Sequence, residues 1–511
     1  MVRKSVSMVA TIESGHQVMC GILFVESRNN IPLEKHLEAL EILKSRGPDF
    51  TRYKHRGGLF VAQTVLHITG KADFYNRTST DFFAYNGEIY DFRWHGGYSN
   101  DVELVYQAAR RDHRLFRYFE GPWAWVYTDF TTTTYASDPQ GEHYLYRYQD
   151  DDIVIVCSEV APILCYIDAV KIPVPYLNKC WTLQHETPWA GIERLEPGRL
   201  YSNHVAANSL DNIWSWVNPR SNLTFDEAYQ EFDAVWDRAM RITRPDCATA
   251  LSYSGGLDSS IILRDLNPSQ LIVTNMTGKD PIVDRIGEFL SPAQLQRLTE
   301  IDVDYEQYAQ EYLALMRRTR MPVQSWSYVG KWIVAQACRA RVLFSGQAAD
   351  ELFGGYDVYR TIDYTTEHST SPYSLNIDPA VWQQCLEVYN RDPRQATLLA
   401  DYWCQIVGSD GPGSDRIGGA HGIETRNPFQ LKSVMTFALN LPWEFKVNTV
   451  GKPLIRKKFL EKWPEHMILP KMGFAGHAND SLPWLDVSID ATGDRHRDWQ
   501  QIAQKTFYKH G

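Results

Sequence analysis

Apolar positions along this chain fall into two textures. Between Cys20 and about Asn212 they come in short runs with the two-residue alternation of strands: Gly21–Glu26, Leu59–His67, Phe82–Tyr85, Ala124–Thr128 and Ile153–Cys157. Helical stretches at Leu33–Lys44 and Val102–Arg111 interrupt them. From about Thr224 the order becomes helix, strand, helix. Asp226–Arg241 carries the helical period behind a cap at Thr224 or Asp226. A strand over 248–253, a helix from Ser259 through Leu266, a strand over 271–275, a helix over 328–340 and a strand over 342–344 follow. Such alternation implies a parallel sheet covered by helices on both faces. After about Tyr356 the pattern is mainly helical. Residues 213–222, with Pro219, Ser221 and Asn222, read as a linker, which divides the chain into domains 20–212 and 224–511.

The length agrees, since 511 residues exceed one ordinary core. With 44% hydrophobic and 22% charged residues the composition is that of a globular protein. No apolar run is long enough for a membrane helix. The net charge of −10 argues against a broad nucleic-acid footprint. The eight cysteines are scattered, without CxxC pairs or zinc-ligand spacing, and seven of them read as free thiols of a cytoplasmic protein. Residues 1–18 lack the apolar segment of a signal peptide.

The most specific chemistry lies at Ser254-Gly255-Gly256-Leu257-Asp258-Ser259-Ser260, between a strand and a helix. Glycines let backbone N–H groups approach an anion, and the helix N-terminus points at the same place. The three serines add donors, and Asp258 suits Mg²⁺. The Walker pattern is absent. The motif fits enzymes that split ATP between its α- and β-phosphates. A second segment, Ser345-Gly346-Gln347-Ala348-Ala349-Asp350, follows the strand 342–344 and would sit at the carboxyl end of the sheet. Asp350 is either a second metal carboxylate or a helix N-terminal charge. Lys471, in Pro470-Lys471-Met472-Gly473-Phe474, could stabilise developing negative charge, although its spacing alone fits a surface lysine equally.

SGGLDSS, SGQAADELFGGY, GIETRNPF (422–429) and KMGF occur in the order and approximate spacing of the asparagine synthetase family, which the chain resembles. The resemblance extends to the first half: CGI at Cys20, RGPD at 46–49, NGEIY at 86–90 and Asn100-Asp101 are similar to the family's glutamine amidotransferase domain. It implies an α+β, Ntn-type αββα sandwich, followed by an α/β parallel-sheet ATP-pyrophosphatase domain with a helical carboxyl-terminal part. It implies glutamine, ATP and a carboxylate as substrates, Mg²⁺ as cofactor, and an amide, AMP and pyrophosphate as products. A homodimer is compatible with it.

Site residues follow residue by residue from the same resemblance. Cys20 would be the nucleophile, with its own α-amino group as base; Asn86 and Gly87 would be the oxyanion donors. Arg46, Asn86, Glu88 and Asp101 would bind glutamine, Asp101 through the amino group. Ser254, Gly255, Gly256, Asp258, Ser259, Ser345 and Gly346 would bind ATP and pyrophosphate. Asp258 and Asp350 would hold the metal, and Lys471 would serve the adenylate.

Four departures change this picture. Cys20 is not terminal, so either residues 1–18 precede the true start at Met19 or residues 1–19 are a removed propeptide. Val65 stands where the family has an arginine for the glutamine carboxylate, leaving His67 or Arg56 as substitutes. Gln347 replaces a glutamate and cannot act as a base. Met321–Ser325 lacks the acidic character usual around its proline. An intramolecular amide-forming cyclase of the β-lactam synthetase or lasso cyclase type, and a non-catalytic scaffold, are the alternative readings.

Overall fold

The computed structural model describes residues 17–69, 80–172, 186–202, 208–276, 282–323, 325, 327–364, 371, 374, 377–469, 482–485, 487–488 and 495–510. In the first half the described strands are β1 (Gln17–Ser27), β2 (Phe50–Arg56), β3 (Leu59–Thr69), β4 (Phe82–Gly87), β5 (Trp123–Thr128), β6 (Thr133–Ser137), β7 (Tyr146–Gln149), β8 (Ile153–Cys157), β9 (Ile192–Arg194), β10 (Arg199–Ser202) and β11 (Asn208–Ser209). They form two antiparallel sheets, ordered β2-β3-β1-β8-β7-β9 and β11-β10-β6-β5-β4.

The strand alternation decides how these sheets stack. Odd and even positions of one strand point to opposite faces. Ile22 and Phe24 of β1 therefore meet Phe82, Ala84, Ala124 and Val126 of the second sheet in a core between the sheets. Leu23 and Val25 face the other way, onto Ala39, Leu40 and Leu43 of the helix Leu33–Leu43. The second sheet likewise turns Phe83, Tyr85 and Trp125 toward the helix Asp101–Arg111. The result is helix, sheet, sheet, helix, as the resemblance implies.

The second half holds β12 (Thr249–Ser252), β13 (Gln270–Met276), β14 (Leu298–Val303), β15 (Val342–Phe344) and β16 (Glu424–Arg426), all parallel, in the order β14-β13-β12-β15-β16. Neighbouring residues of one strand again serve different layers. Leu251 packs with Phe232 and Trp236 of the helix Phe225–Ile242, whereas Ala250 packs with Tyr312 and Ile333 of helices on the opposite face. Phe225–Ile242 starts at a full capping box, Thr224 with Glu227. Helices dominate beyond Tyr356, including an unbroken run in which Pro393–Asp401 passes through π-helical turns at Tyr402–Asp410 into Gly411–Ala420.

Two features differ from the pattern-based expectation. β14 and the three-residue β16 have no clear apolar run; β14 is an edge strand with half-exposed faces, which removes the periodic signal. Residues 213–222 connect the halves but are docked. Ile213 and Trp216 are buried, and Asn440 donates to Trp216 O at 2.9 Å. Among the described residues no helix is long and apolar enough to cross a membrane.

Candidate active sites

β12 ends one residue before Tyr253, whose N–H still donates to Ile272 O of β13 at 2.9 Å. The chain then turns through Ser254-Gly255-Gly256. Gly255 has φ +71°, and a Cβ there would lie 2.4 Å from Ile286 Cγ2, so both conformation and space require glycine. Hydroxyls brace the turn: Ser254 Oγ accepts from Gly256 N at 3.3 Å and lies 3.2 Å from Ser259 Oγ. The helix Leu257–Asp265 begins here without a side-chain cap, leaving its N-terminal dipole for an anion.

β15 brings the second loop alongside. Ser345 N donates to Arg426 O of β16 at 3.0 Å. A Cβ on Gly346 would lie 2.9 Å from Asp258 Cβ, so glycine is what lets the two loops touch. Together they line a cavity of about 640 Å³, within the range of small-molecule sites, whose walls include Ser254, Gly256, Asp258, Ser345, Gly346 and Asp350.

Asp258 and Asp350 converge on one point. Lys452 Nζ donates to both oxygens of Asp258 at 2.6 Å and lies 2.6 Å from Asp350 Oδ1. Burial alone would lower the lysine pKa, but the two carboxylates hold it above the ordinary value. The carboxylates thus already share a cation. That donor set suits a hard divalent ion that completes its shell with phosphate oxygens and water.

At another wall of the cavity Gln347 is fully engaged. Its Oε1 accepts from Lys331 Nζ at 2.8 Å and Ser414 Oγ at 2.6 Å, and its Nε2 donates to Gln430 Oε1 at 2.9 Å. Lys331 also pairs with Asp410 at 3.2 Å. Lys471 and the KMGF segment lie outside the described residues.

In the first half Cys20 sits within β1 opposite Val65 of β3, 2% exposed. Its N–H donates to Asn86 Oδ1 at 2.9 Å. Asn86 Nδ2 is buried without a hydrogen-bond partner, so it has a donor to offer a ligand. Gly87 has φ +144°, and a Cβ there would lie 2.2 Å from Pro122 O. Asp101 opens the helix Asp101–Arg111, next to its N-cap Asn100. Asp101 accepts from Ile89 N at 3.2 Å and from Tyr85 OH at 3.3 Å. Burial first, and the charge of Glu88 second, push its carboxyl up to about 7.

Arg46 and Glu88, which the resemblance places at the glutamine, also hold buried partners from the second half. Arg46 is wholly buried at the seam between the halves, donating to Cys20 O at 3.1 Å and to Asp415 Oδ1 at 2.6 Å. Glu88 accepts from the guanidinium of Arg426, which also pairs with Glu424 at 2.6 Å. Neither partner is near in sequence.

Two family models match the chain. The one described as a glutamine amidotransferase domain covers residues 19–214, and the one described as asparagine synthase covers residues 233–491. The chain belongs to the asparagine synthase family. It is 24% identical to asparagine synthetase [glutamine-hydrolyzing] 1 of Bacillus subtilis, over 89% of this chain and 87% of that one. It is 23% identical to asparagine synthetase [glutamine-hydrolyzing] of Gallus gallus, over 92% and 87%. It is also 22% identical to the amidase chyE of Penicillium rubens, over 68% and 58%.

Within this family frame the structure adds residues that motif reading passed over. Lys452 belongs to none of the motifs, and nothing in its neighbourhood signals a contact 194 residues away. Arg52 and Gln63 are the second case. Gln63 Nε2 donates to Cys20 Sγ at 3.1 Å, and Arg52 Nε donates to Gln63 Oε1 at 3.1 Å. Burial pushes the Cys20 thiol up to about 12, against which the Gln63 hydrogen bond and the Arg52 charge act. No sequence signal marked Arg52, which is the buried position of β2; most of its neighbours there are half-buried. Of the substitutes considered for the arginine missing at Val65, Arg56 lies over the Phe130 ring at 5.4 Å and His67 donates its N–H to Asp49 Oδ2 at 2.8 Å.

Proposed function

We propose that this member of the asparagine synthase family is an ATP-dependent, glutamine-hydrolysing amidotransferase, with glutamine cleaved in residues 20–212 and a carboxylate activated in residues 224–511. The observation that carries the reading is the convergence of Asp258 and Asp350 on Lys452 Nζ, across one cavity from the SGG turn. A phosphate chain in that cavity meets the backbone and hydroxyls of Ser254–Ser259, and Asp258 with Asp350 would hold Mg²⁺, which neutralises the phosphates when bound. The carboxylate oxygen attacks the α-phosphorus, pyrophosphate leaves, and ammonia then displaces AMP from the acyl carbon. Lys471 keeps the role that its motif implies, beside the adenylate.

In the first half the Cys20 thiolate attacks the glutamine amide carbon and the oxyanion falls to Asn86 Nδ2 and the Gly87 N–H. Within β1 the Cys20 nitrogen is a peptide amide, which accepts no proton. The base role therefore requires that nitrogen to become terminal, where Asn86 Oδ1 at 2.9 Å can still orient it. Asp101 receives the glutamine amino group. With Gln347 bound to Lys331, Ser414 and Gln430, its amide offers no basic group in the second step. We therefore infer a carboxylate acceptor handled differently from aspartate in ordinary asparagine synthetases. The free thiols of the described cysteines fit the cytoplasm as its compartment.

Exchange of labelled pyrophosphate into ATP, driven by pooled carboxylates, tests the reading. Exchange present in the parent and absent in Asp258→Asn is expected. No exchange with any carboxylate pool would refute it.

A further inference from the structure

We infer that the Ser345-Gly346-Gln347 loop couples the nucleotide cavity to the Cys20 site, through two buried bridges that cross the seam between the halves. The inference rests on the amidotransferase reading given above.

The first bridge starts at the nucleophile. Arg46 Nε donates to Cys20 O at 3.1 Å, and Arg46 Nη2 donates to Asp415 Oδ1 at 2.6 Å. His143 Nδ1 lies 2.9 Å from the same oxygen. The preceding residue, Ser414, donates to Gln347 Oε1 at 2.6 Å. Asp415 and Ser414 belong to the helix Gly411–Ala420, which rides directly on the guanidinium: a Cβ on Gly419 would lie 2.6 Å from Arg46 Nη1. One rigid helix therefore touches both loops.

The second bridge starts at the oxyanion donors. Glu88 follows Asn86 and Gly87 and takes an ion pair from Arg426. The carbonyl of Arg426 accepts from Ser345 N at 3.0 Å. Arg46 and Arg426 are both essentially without solvent exposure. Buried, charge-assisted hydrogen bonds have few alternative partners, so a shift of the loop moves its neighbours or breaks a costly contact. ATP lies against the loop at one end; the glutamine carbonyl lies against Cys20 and Asn86 at the other.

Arg46, Asp415, Ser414, Glu88 and Arg426 are thus positioning residues. Ligand coupling of this kind is reciprocal: ATP must change glutamine affinity by the factor by which glutamine changes ATP affinity. The test uses full-chain Cys20→Ala protein, so that nothing turns over. Calorimetry measures the Kd of glutamine with and without the non-cleavable analogue α,β-methylene-ATP with Mg²⁺, then the Kd of the analogue with and without glutamine. The expected factor is about fivefold or more, and equal in both directions. Adding Ser414→Ala should bring both factors close to one, and Ser414→Thr, which keeps the hydroxyl, should restore them. Arg426→Lys cuts the second bridge and should reduce the factor without reference to Ser414. Independent binding of the two ligands, or an unchanged factor in both Ser414→Ala and Arg426→Lys, would overturn the coupling alone. Absence of glutamine binding under all conditions would overturn the glutaminase reading and the coupling built on it.

Discussion

Replacing Lys452 with methionine keeps the aliphatic stem and removes the ammonium that touches both Asp258 and Asp350. Each contact at 2.6 Å amounts to about 6 kcal/mol of attraction at an effective dielectric near 20. Most of that offsets the cost of taking the charges out of water. Removing one partner of a buried pair typically destabilises by about 3–5 kcal/mol. The aspartates are 22% and 20% exposed, so water and counterions relieve part of this. The net loss should be about 2–3 kcal/mol, which is about 4–12 °C in the melting of the second half at roughly 2–4 °C per kcal/mol. A metal ion with ATP returns positive charge to the same point, so the deficit should shrink when both are added. Differential scanning calorimetry in EDTA and then in Mg²⁺ with ATP reads both effects. Equal melting of variant and parent in EDTA, or a deficit that Mg²⁺ and ATP leave untouched, would refute the convergence of the two carboxylates on a shared cation.

Other outcomes follow from single contacts. Asn at position 258 or at 350 should abolish AMP formation with the fold intact, because an amide is a poor ligand for a hard cation; near-normal pyrophosphate release at limiting Mg²⁺ would exclude the metal role. Asn86→Ala should lower kcat for glutamine about 100- to 1000-fold with little change in KM, read as glutamate release, since its unpartnered Nδ2 acts on the oxyanion. Asp101 is raised from its ordinary value of 3.8 to about 7, so between those values it is neutral when folded and charged when unfolded. It therefore favours the fold fully below pH ~4, and that contribution is lost as pH rises through ~7. Because the anion is what holds the glutamine ammonium, kcat/KM for glutamine should rise through pH ~7, and Asp101→Asn should remove that limb. A flat profile in the parent would count against Asp101 as the amino-group anchor.

Much of the architecture was legible because burial is periodic. β1 alternates Ile22 and Phe24 inward with Leu23 and Val25 outward, and the capping residues Thr224 and Glu227 mark the start of their helix. β14 and β16 escaped notice because the edge strand β14 is half-exposed on both faces and β16, Glu-Thr-Arg, carries no apolar residue, unlike the equally short β15. At the candidate sites, the SGG turn, Asn86-Gly87 and Asp101 behind its cap were legible because each stands on local backbone. Residues whose roles depend on distant partners were not legible. Lys452 reaches Asp258 across 194 residues, and Arg46 reaches Asp415 across 369. No spacing rule connects such positions, because the fold alone brings them together.

Amide-¹⁵N glutamine, incubated with the protein, ATP, Mg²⁺ and a pool of small carboxylates, tests the central claim most directly. The account predicts glutamate, AMP and pyrophosphate in equal amounts, with ¹⁵N in a new amide. Glutamate and the glutamine-derived label should vanish in Cys20→Ala, while AMP formation persists with added ammonia and vanishes in Asp258→Asn. Formation of ADP and phosphate in place of AMP and pyrophosphate, or of AMP without any transfer of ¹⁵N, would contradict it.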